Sequence, residues 1–325
     1  MNTPPGKVIV IAGPTASGKK SVALSIAETF NGEIISADSR KIYRYLDIGT
    51  AKQSTEYRER VPHHLIDILA PDGDYSAGQF AHDAKKIIND IRKRGKLPII
   101  CGGAGFYIKA LIEGLSPHID SWPEKRHELL EEYKTRGIGP LLKRLEEQDP
   151  ERAQSIPTGN IRRILRSLEV VEMSGYTFSE LATLEEKKIE KGYDAEVAQK
   201  NRQSKYLYLC LRWSRTVLSE RIRRRTEKMF EYGLPDELIS VLAMGYDRNL
   251  NALNTVGYKE LFDILDGHKA EAEVRDTITI HTRQYAKRQM TWFRAQPSVQ
   301  WIDMGDCRDK ALEEIVRLVK DFIEK

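Results

Sequence analysis

The chain has 325 residues, which is enough for one large domain or two domains of ordinary size. Apolar residues make up 40% and charged residues 31% of the sequence, as in a soluble globular protein with a sizeable core. The net charge of +4 is only a weak indication of nucleic-acid binding. The sequence lacks an apolar run of about 18 residues and a charged leader, so we expect no membrane span and a cytoplasmic location. Three separated cysteines without a CxxC pair argue against a disulfide framework and a structural zinc site.

Strands and helices alternate in the first third of the chain. A buried strand at 7–11 is followed by a glycine-rich turn and by a helix from Lys19 to Phe30. The alternation continues with a strand at 33–37, an amphipathic helix at 80–94, a strand at 97–101 and a second glycine-rich turn at 102–105. This alternation predicts a parallel sheet covered on both faces, with ligands beyond the carboxyl ends of its strands.

The pattern changes after Pro117, where helical periodicity and many charges continue without a convincing strand. We therefore predict a helical insertion at 118–203 and assign 1–117 and 204–325 to one α/β core. The strand pattern resumes at 205–211, and the rest is mostly helical with one late strand, Val299–Ile302. The predicted fold class is α/β, a P-loop nucleoside-triphosphate-hydrolase-like parallel sheet with an inserted all-helical domain.

A phosphate-binding motif lies between the first strand and the first helix. The segment GPTASGK (13–19) fits G-x-x-x-x-G-K in the strand–turn–helix context that this motif requires. The glycines let backbone N–H groups face phosphate oxygens, the helix N-terminus adds its dipole, and Lys19 adds a full charge. We predict that eight residues hold a diphosphate: Gly13, Pro14, Thr15, Ala16, Ser17, Gly18, Lys19 and Lys20.

Position 20 departs from the usual motif. A Ser or Thr there normally supplies a hydroxyl to Mg²⁺, whereas an ammonium cannot ligate a metal. Ser21 is rotated by about 100° around the helix and should not simply replace that hydroxyl. We expect Mg²⁺ as the cofactor but assign it no ligands. Lys20 could instead offset diphosphate charge directly.

Nine segments resemble the tRNA dimethylallyltransferase (tRNA isopentenyltransferase) family, in the family's order and over nearly the whole chain. They are GPTASGK (13–19), ISADS (35–39), DIGTAK (47–52), VPHHLID (61–67), YSAGQF (75–80), GGAGFY (102–107), NIRRILRSLEV (160–170), NTVGYKEL (254–261) and YAKRQMTWFR (285–294). The resemblance implies transfer of a dimethylallyl group from dimethylallyl diphosphate to N6 of adenosine 37, next to the anticodon of tRNA. It also implies a P-loop that holds a prenyl diphosphate in place of ATP. A monomer is our default expectation.

The resemblance assigns roles to particular residues. Asp38 matches the aspartate taken as the general base, although its side chain could instead cap the following turn. Lys19 would stabilise the departing diphosphate, together with Arg221 or Arg225, between which the sequence does not decide. The second glycine-rich turn carries Ala104 where the family has a threonine near the adenosine. A hydrogen bond to the adenosine would therefore have to come from Tyr107 or from water, or would be absent.

Basic residues predict the tRNA-binding surface. Clusters of arginines and lysines suit phosphate contacts and stacking on unpaired bases, although one cluster alone is more often a solvated face. The predicted tRNA-binding residues are Asp38, Ser39, Arg40, Lys41, Ala104, Tyr107, Arg126, Arg162, Arg163, Arg166, Arg283 and Lys287. On the same helix as the last two, we expect Tyr285, Trp292 and Phe293 to pack into the core.

Three alternatives stay open at this point. A prenyltransferase of free adenine nucleotides would share the P-loop and Asp38, but the helical insertion and the basic helices favour tRNA. A P-loop kinase would bind ATP and transfer phosphate. A tRNA-binding paralogue with weakened catalysis would explain Lys20 and Ala104.

Overall fold

The computed structural model describes residues 6–115, 123–157, 159–181, 183, 204–305 and 308–325. The chain forms two compact units. One consists of Met1–Ile112 and Arg202–Lys325, and the other of Glu113–Asn201. No helix within the described ranges is long and apolar enough to cross a membrane.

A six-stranded parallel sheet lies at the centre of the first unit. Its strands are β1 (Val8–Ala12), β2 (Gly32–Ala37), β3 (His63–His64), β4 (Leu97–Gly102), β5 (Tyr206–Arg212) and β6 (Gln300–Asp303). Their order in the sheet is β3-β2-β4-β1-β5-β6. Strand β1 therefore lies between β4 and β5, and the segments that leave the carboxyl ends of β1, β2, β4 and β5 meet along one edge.

The sequence explains why these strands are buried on both faces. Strand β1 reads VIVIA and every residue in it is buried, as expected for a strand of a parallel sheet covered by helices. The helices of this unit are α1 (Lys19–Thr29), α2 (Thr55–Arg60), α3 (Ala77–Lys93), α4 (Gly105–Ile112), α9 (Arg215–Glu231), α10 (Leu234–Ala243), α11 (Phe262–Leu265), α12 (Glu271–Arg294) and α13 (Arg308–Glu324). Helix α3 begins with a capping box, in which Ser76 and Gln79 bond each other's backbone N–H groups.

The second unit is helical within its described residues. It contains α5 (Pro123–Arg136), α6 (Ile138–Gln148), α7 (Pro150–Ser155) and α8 (Ile161–Ser174). Leucines on the inner faces of α5, α6 and α8 form its core, including the fully buried Leu129, Leu141, Leu145 and Leu168. This unit therefore has its own apolar core, as an inserted domain requires.

A carboxylate on α10 anchors the loop after β2. Glu237 accepts hydrogen bonds from the backbone N–H groups of Asp47 at 2.8 Å, Ile48 at 2.7 Å and Gly49 at 3.1 Å. The hydroxyl of the buried Tyr258 also donates to Glu237. One charged group thus satisfies three successive loop donors, which fixes the loop against α10.

A second carboxylate, Glu33 on β2, is buried among an arginine, a lysine and a histidine. It accepts bonds from Arg94 at 2.6 Å and His64 at 2.7 Å, and its other oxygen lies 3.0 Å from Lys96. Burial alone would raise the pKa of Glu33, but these partners outweigh it and lower the pKa from 4.5 to about 2. The ionised carboxylate is therefore part of the folded structure.

The pH dependence of stability should report this carboxylate. Because the folded-state pKa is depressed, its contribution is present above the unfolded pKa near 4.5 and is lost as the pH falls towards 2. We expect Glu33→Gln to lower the free energy of unfolding by ~2 kcal/mol at pH 7 and by much less at pH 3. Urea unfolding at both pH values measures this. Glu28→Gln, which breaks an exposed pair with Arg60, is the control and should cost under ~1 kcal/mol at either pH. A loss for Glu33→Gln that is equal at both pH values would contradict the assignment.

Candidate active site

The turn between β1 and α1 has the backbone of a phosphate-binding loop. Gly13 has a φ of +145°, and a Cβ there would lie 2.8 Å from the carbonyl oxygen of Leu211 on β5. Gly18 has a φ of +91° and forms the N-cap of α1 without a side-chain cap. These two positions require glycine, and they leave the first N–H groups of α1 facing outwards for an anion.

Three side chains that follow β5 hold this loop from one side. Arg221 Nε donates to the Ala16 carbonyl at 2.8 Å, and Arg225 Nη1 donates to the Thr15 hydroxyl at 2.7 Å. The Trp213 indole N–H donates to the Ser17 carbonyl at 2.9 Å, and the Arg221 guanidinium packs over its ring at 4.6 Å. The sequence left open which arginine of α9 reaches the P-loop. Both do.

Gln289 on α12 joins the P-loop to the second glycine-rich turn. Its side-chain oxygen accepts from the Thr15 N–H at 2.8 Å, and its amide nitrogen donates to the Gly103 carbonyl at 2.9 Å. The side chain is buried, with only 7% of its surface exposed. One amide thus satisfies a donor and an acceptor on two different loops and fixes the distance between them.

Four basic side chains surround one carboxylate at this edge of the sheet. Lys19, Lys20, Lys41 and Arg225 all interact electrostatically with Asp38, which follows β2. Burial, followed by the repulsion of neighbouring cations, lowers the pKa of Lys20 from 10.5 to about 5, and burial lowers that of Lys19 to about 8. Burial also lowers the pKa of Arg225 and the pKa of Lys41. Because burial disfavours the charged forms of these groups, a bound anion would stabilise those charged forms.

Asp38 combines both roles that the sequence offered for it. Its Oδ1 accepts the backbone N–H of Arg40 at 3.0 Å, so the side chain does cap the turn. Burial alone would raise the pKa of this carboxyl, but Lys41, the Arg40 N–H and the P-loop lysines together hold the pKa below its ordinary value. The carboxylate is therefore ionised at neutral pH and able to accept a proton.

The side chains near the P-loop do not provide the oxygen shell that Mg²⁺ prefers. Position 20 holds an amine, the Ser21 hydroxyl donates to the Gly18 carbonyl at 2.9 Å, and the Thr15 hydroxyl accepts from Arg225. Among the described residues, no group of three or more His, Cys, Asp or Glu side chains could hold a metal ion. Asp38 remains as an oxygen ligand, but it lies among cations. The residues present fit an anion better than a divalent cation.

The other residues predicted for this unit lie at different depths. Lys41 is only 7% exposed and donates to Gln53 at 3.2 Å, so its amine faces the cluster and not the outer surface. Tyr107 is buried and donates to the Tyr75 carbonyl. Ser39 and Ala104 are half-buried, and the half-buried Arg40 donates to the Asn251 carbonyl.

Arg283 and Lys287 are exposed on α12 and line a cavity of about 560 Å³ between α9 and α12. Leu218, Ile222 and Met290 contribute apolar surface to it, and Arg215 and Arg294 add further positive charge. No residue of the P-loop lines this cavity, so the cation cluster and not the cavity defines the candidate site.

The remaining predicted residues belong to the second unit. Arg126 is exposed on α5, and Arg162 and Arg163 are exposed on α8. Arg166 is half-buried and pairs with the fully buried Glu169 at 3.0 Å. Arg166 therefore also serves the fold of this unit, because an unpaired buried carboxylate would be costly.

Three contributions were missed or misread in the sequence. Gln289 carries no local pattern, because its partners Thr15 and Gly103 lie far away in sequence. The inward position of Lys41 depends on a loop that returns to it at Gln53. The expectation that aromatic residues of α12 pack into the core was wrong for Tyr285 and is confirmed for the fully buried Phe293. The Tyr285 side chain is 39% exposed and interacts electrostatically with Asp38 and Arg225, because the apolar face of α12 is carried by residues such as Ala286 and Phe293.

Comparisons with known proteins agree on one family. A family model described as IPP transferase matches residues 41–296. The tRNA dimethylallyltransferase of Thermotoga neapolitana is 39% identical over 319 residues, 98% of each chain, and that of Carboxydothermus hydrogenoformans is 41% identical over 312 residues, 95% of this chain and 96% of the other.

Solved structures show the same fold. The crystal structure of a tRNA isopentenylpyrophosphate transferase from Bacillus halodurans has a TM-score of 0.69 and 36% identity, covering 98% of this chain and 97% of the other. A eukaryotic dimethylallyltransferase acting on tRNA has a TM-score of 0.81 and 26% identity, covering 98% of this chain and 79% of the other. The predicted α/β fold with a parallel P-loop sheet is confirmed.

The bridge formed by Gln289 can be tested by anion binding. Gln289→Leu leaves a buried N–H and a buried carbonyl without their partner, so we expect lower stability and about tenfold weaker binding of inorganic pyrophosphate. Calorimetric titration gives the affinity and thermal unfolding gives the stability. Gln284→Leu, on the exposed face of the same helix, is the matched control and should change neither. Unchanged pyrophosphate affinity in Gln289→Leu would show that the bridge does not set the geometry of the P-loop.

Proposed function

The chain belongs to the IPP transferase family of tRNA dimethylallyltransferases, and we propose that it transfers a dimethylallyl group from dimethylallyl diphosphate to N6 of adenosine 37, next to the anticodon of tRNA. The observation that carries this proposal is the cation cluster. Three lysines and an arginine converge on a P-loop with a single ionised carboxylate among them. Such a site favours a diphosphate and places a proton acceptor beside it.

Bond making and breaking in this reaction balance without a redox partner. The lone pair of N6 forms a bond to C1 of the dimethylallyl group, and the C1–O bond breaks so that diphosphate leaves with the electron pair. The nitrogen becomes positively charged and releases one proton, which the Asp38 carboxylate accepts. A carboxylate with a low pKa is a weak base, but it suffices because the alkylated amine is a strong acid at that moment.

The departing diphosphate gains negative charge as the C1–O bond lengthens. Lys19 and Arg225 border the P-loop, where their charges would be attracted more strongly to the leaving group than to the bound donor. That difference lowers the barrier, because only interactions that strengthen in the transition state accelerate the reaction. Arg221 supports the same loop through the Ala16 carbonyl and acts as a positioning residue.

Mg²⁺ is the divalent ion proposed for the overall reaction. It would accompany the diphosphate as a counter-ion, with ligands from phosphate oxygens and water, which is how Mg²⁺ commonly binds at phosphate sites. No ligand from position 20 is part of this proposal.

The proposed tRNA surface has one part in each unit. In the first unit, the residues proposed to contact the target adenosine are Ser39, Arg40, Ala104 and Tyr107. The residues proposed to contact tRNA phosphates are Arg283 and Lys287. In the second unit, Arg126, Arg162, Arg163 and Arg166 supply further basic groups. The target adenosine must leave its stack to reach Asp38, which is how enzymes commonly reach a base. We propose that the protein acts as a monomer in the cytoplasm.

Mass analysis of tRNA nucleosides tests the proposed function directly. We expect adenosine 37 to gain one dimethylallyl group in place of one hydrogen after incubation with dimethylallyl diphosphate and Mg²⁺. AMP and ATP are offered in parallel reactions as competing substrates. Faster prenylation of AMP, or phosphate transfer from ATP without prenyl transfer, would contradict the proposal.

The role of Asp38 predicts a selective loss. Asp38→Asn keeps the size of the side chain but removes the proton acceptor, so we expect single-turnover transfer to slow by about 10²- to 10⁴-fold while tRNA affinity stays within about twofold. Asp72→Asn, at an exposed position, is the control. Transfer at the wild-type rate by Asp38→Asn would exclude Asp38 as the base.

The contribution of Arg225 can be separated from general charge on α9. Arg225→Met removes the guanidinium that bonds the Thr15 hydroxyl, and we expect transfer to fall by about 10²-fold. Arg224→Met removes the same charge at an exposed neighbouring position and should leave transfer nearly unchanged. Equal losses in both variants would indicate a long-range effect of charge instead of a contact with the diphosphate.

A further inference from the structure

Lys20 occupies the helix position from which a P-loop usually offers a hydroxyl to a metal ion. It is the second residue of α1, immediately after Lys19, and its half-buried side chain lies among the groups of the cation cluster. It interacts electrostatically with Lys41, Arg225 and Asp38. An amine thus stands at the helix position from which a hydroxyl would otherwise contact a phosphate-bound cation.

The surroundings of Lys20 disfavour its charged form. Burial, followed by the neighbouring cations Lys41 and Arg225, lowers the pKa of Lys20 from 10.5 to about 5. The uncharged amine is therefore favoured at neutral pH. An arriving anion would supply the charge that stabilises its protonated form.

The oxygen ligands near Lys20 point to the same interpretation. The hydroxyls of Ser21 and Thr15 are engaged with the Gly18 carbonyl and with Arg225, and Asp38 is the acidic side chain that interacts with Lys20. A divalent cation placed between Asp38 and the P-loop would be repelled by the neighbouring cations. A protonated amine can neutralise a phosphate oxygen there without needing a coordination shell.

We propose that Lys20 binds the diphosphate of the donor directly and takes over the protein's part in holding a metal ion, so that donor binding needs no divalent cation. This inference rests on the proposed function for the identity of the donor, but it concerns only the binding of a diphosphate. Two consequences distinguish it from an ordinary P-loop site. Affinity survives removal of Mg²⁺, and binding takes up a proton at neutral pH because Lys20 becomes charged.

Isothermal titration calorimetry with inorganic pyrophosphate tests both consequences without any transfer reaction. Titrations are run in excess chelator and in millimolar Mg²⁺, and in buffers of different ionisation enthalpy to count protons. Lys20→Thr restores the usual hydroxyl, Lys20→Met removes the charge without adding a ligand, and the exposed Lys85→Met is the matched control. Circular dichroism and thermal unfolding confirm that each variant is folded.

For the wild type and for Lys85→Met, we expect the pyrophosphate affinity in chelator to lie within about twofold of the affinity in Mg²⁺. Lys20→Thr should bind about tenfold more weakly in chelator and recover when Mg²⁺ is added, and Lys20→Met should be weak in both conditions. The wild type should take up more protons on binding than either Lys20 variant does. Proton uptake is a readout that a purely structural role of Lys20 would not change.

Two results would overturn the inference. One is wild-type binding that disappears in chelator. The other is folded Lys20→Met that binds pyrophosphate in chelator as tightly as the wild type does. Failure of the proposed function is a separate outcome, because it would appear as intact pyrophosphate binding with no prenylation of tRNA in any metal condition.

Discussion

The crowding of positive charge around one buried carboxylate is the constraint on which the rest of this structure depends. Burial is the first cause that lowers the pKa values of Lys19, Lys20 and Lys41, and repulsion from neighbouring cations adds to it. The folded protein sustains this arrangement because two large apolar clusters stabilise it, one packed on the sheet and one formed by the loop after β2 and the helices after β5. A diphosphate would bring negative charge to these basic groups and favour their charged forms.

The topology of the sheet explains why these groups can meet at all. Strand β1 lies between β4 and β5, and β2 follows beyond β4, so four parallel carboxyl ends open onto one edge. Asp38 comes from the end of β2, the P-loop from β1 and the arginines from the helix after β5. The buried side-chain amide of Gln289 on α12 then sets the distance between the P-loop and the second glycine-rich turn. The donor and acceptor groups of the proposed reaction are thus positioned by elements that are distant in sequence.

Much of this could be predicted from the sequence, for identifiable reasons. Strands β1, β2, β4, β5 and β6 and the first helix lie within a residue or two of their predicted positions, because a buried parallel strand is a short apolar run and a P-loop has a fixed spacing. Gln289 could not be predicted, since its role exists only when two glycine turns come together. The periodicity of α12 misplaced Tyr285, because a 24-residue helix meets different neighbours along its length and has no single buried face.

The anchoring of the loop after β2 by Glu237 has a consequence for how this protein can vary. The segment from Lys41 to Gln53 leaves the cation cluster and returns to it, because the side chains at its two ends are hydrogen-bonded to each other. Its middle is held through backbone N–H groups, which every residue except proline possesses. Side chains at 47 and 48 are therefore free to diverge as far as this anchor is concerned. A Cβ at Gly49 would lie 2.4 Å from the ring of Tyr258, and a change at Glu237 would be transmitted to the Lys41 amine beside Asp38. Substitutions in the loop after β2 and a substitution of Glu237 on α10 thus have unequal effects on the position of the Lys41 amine.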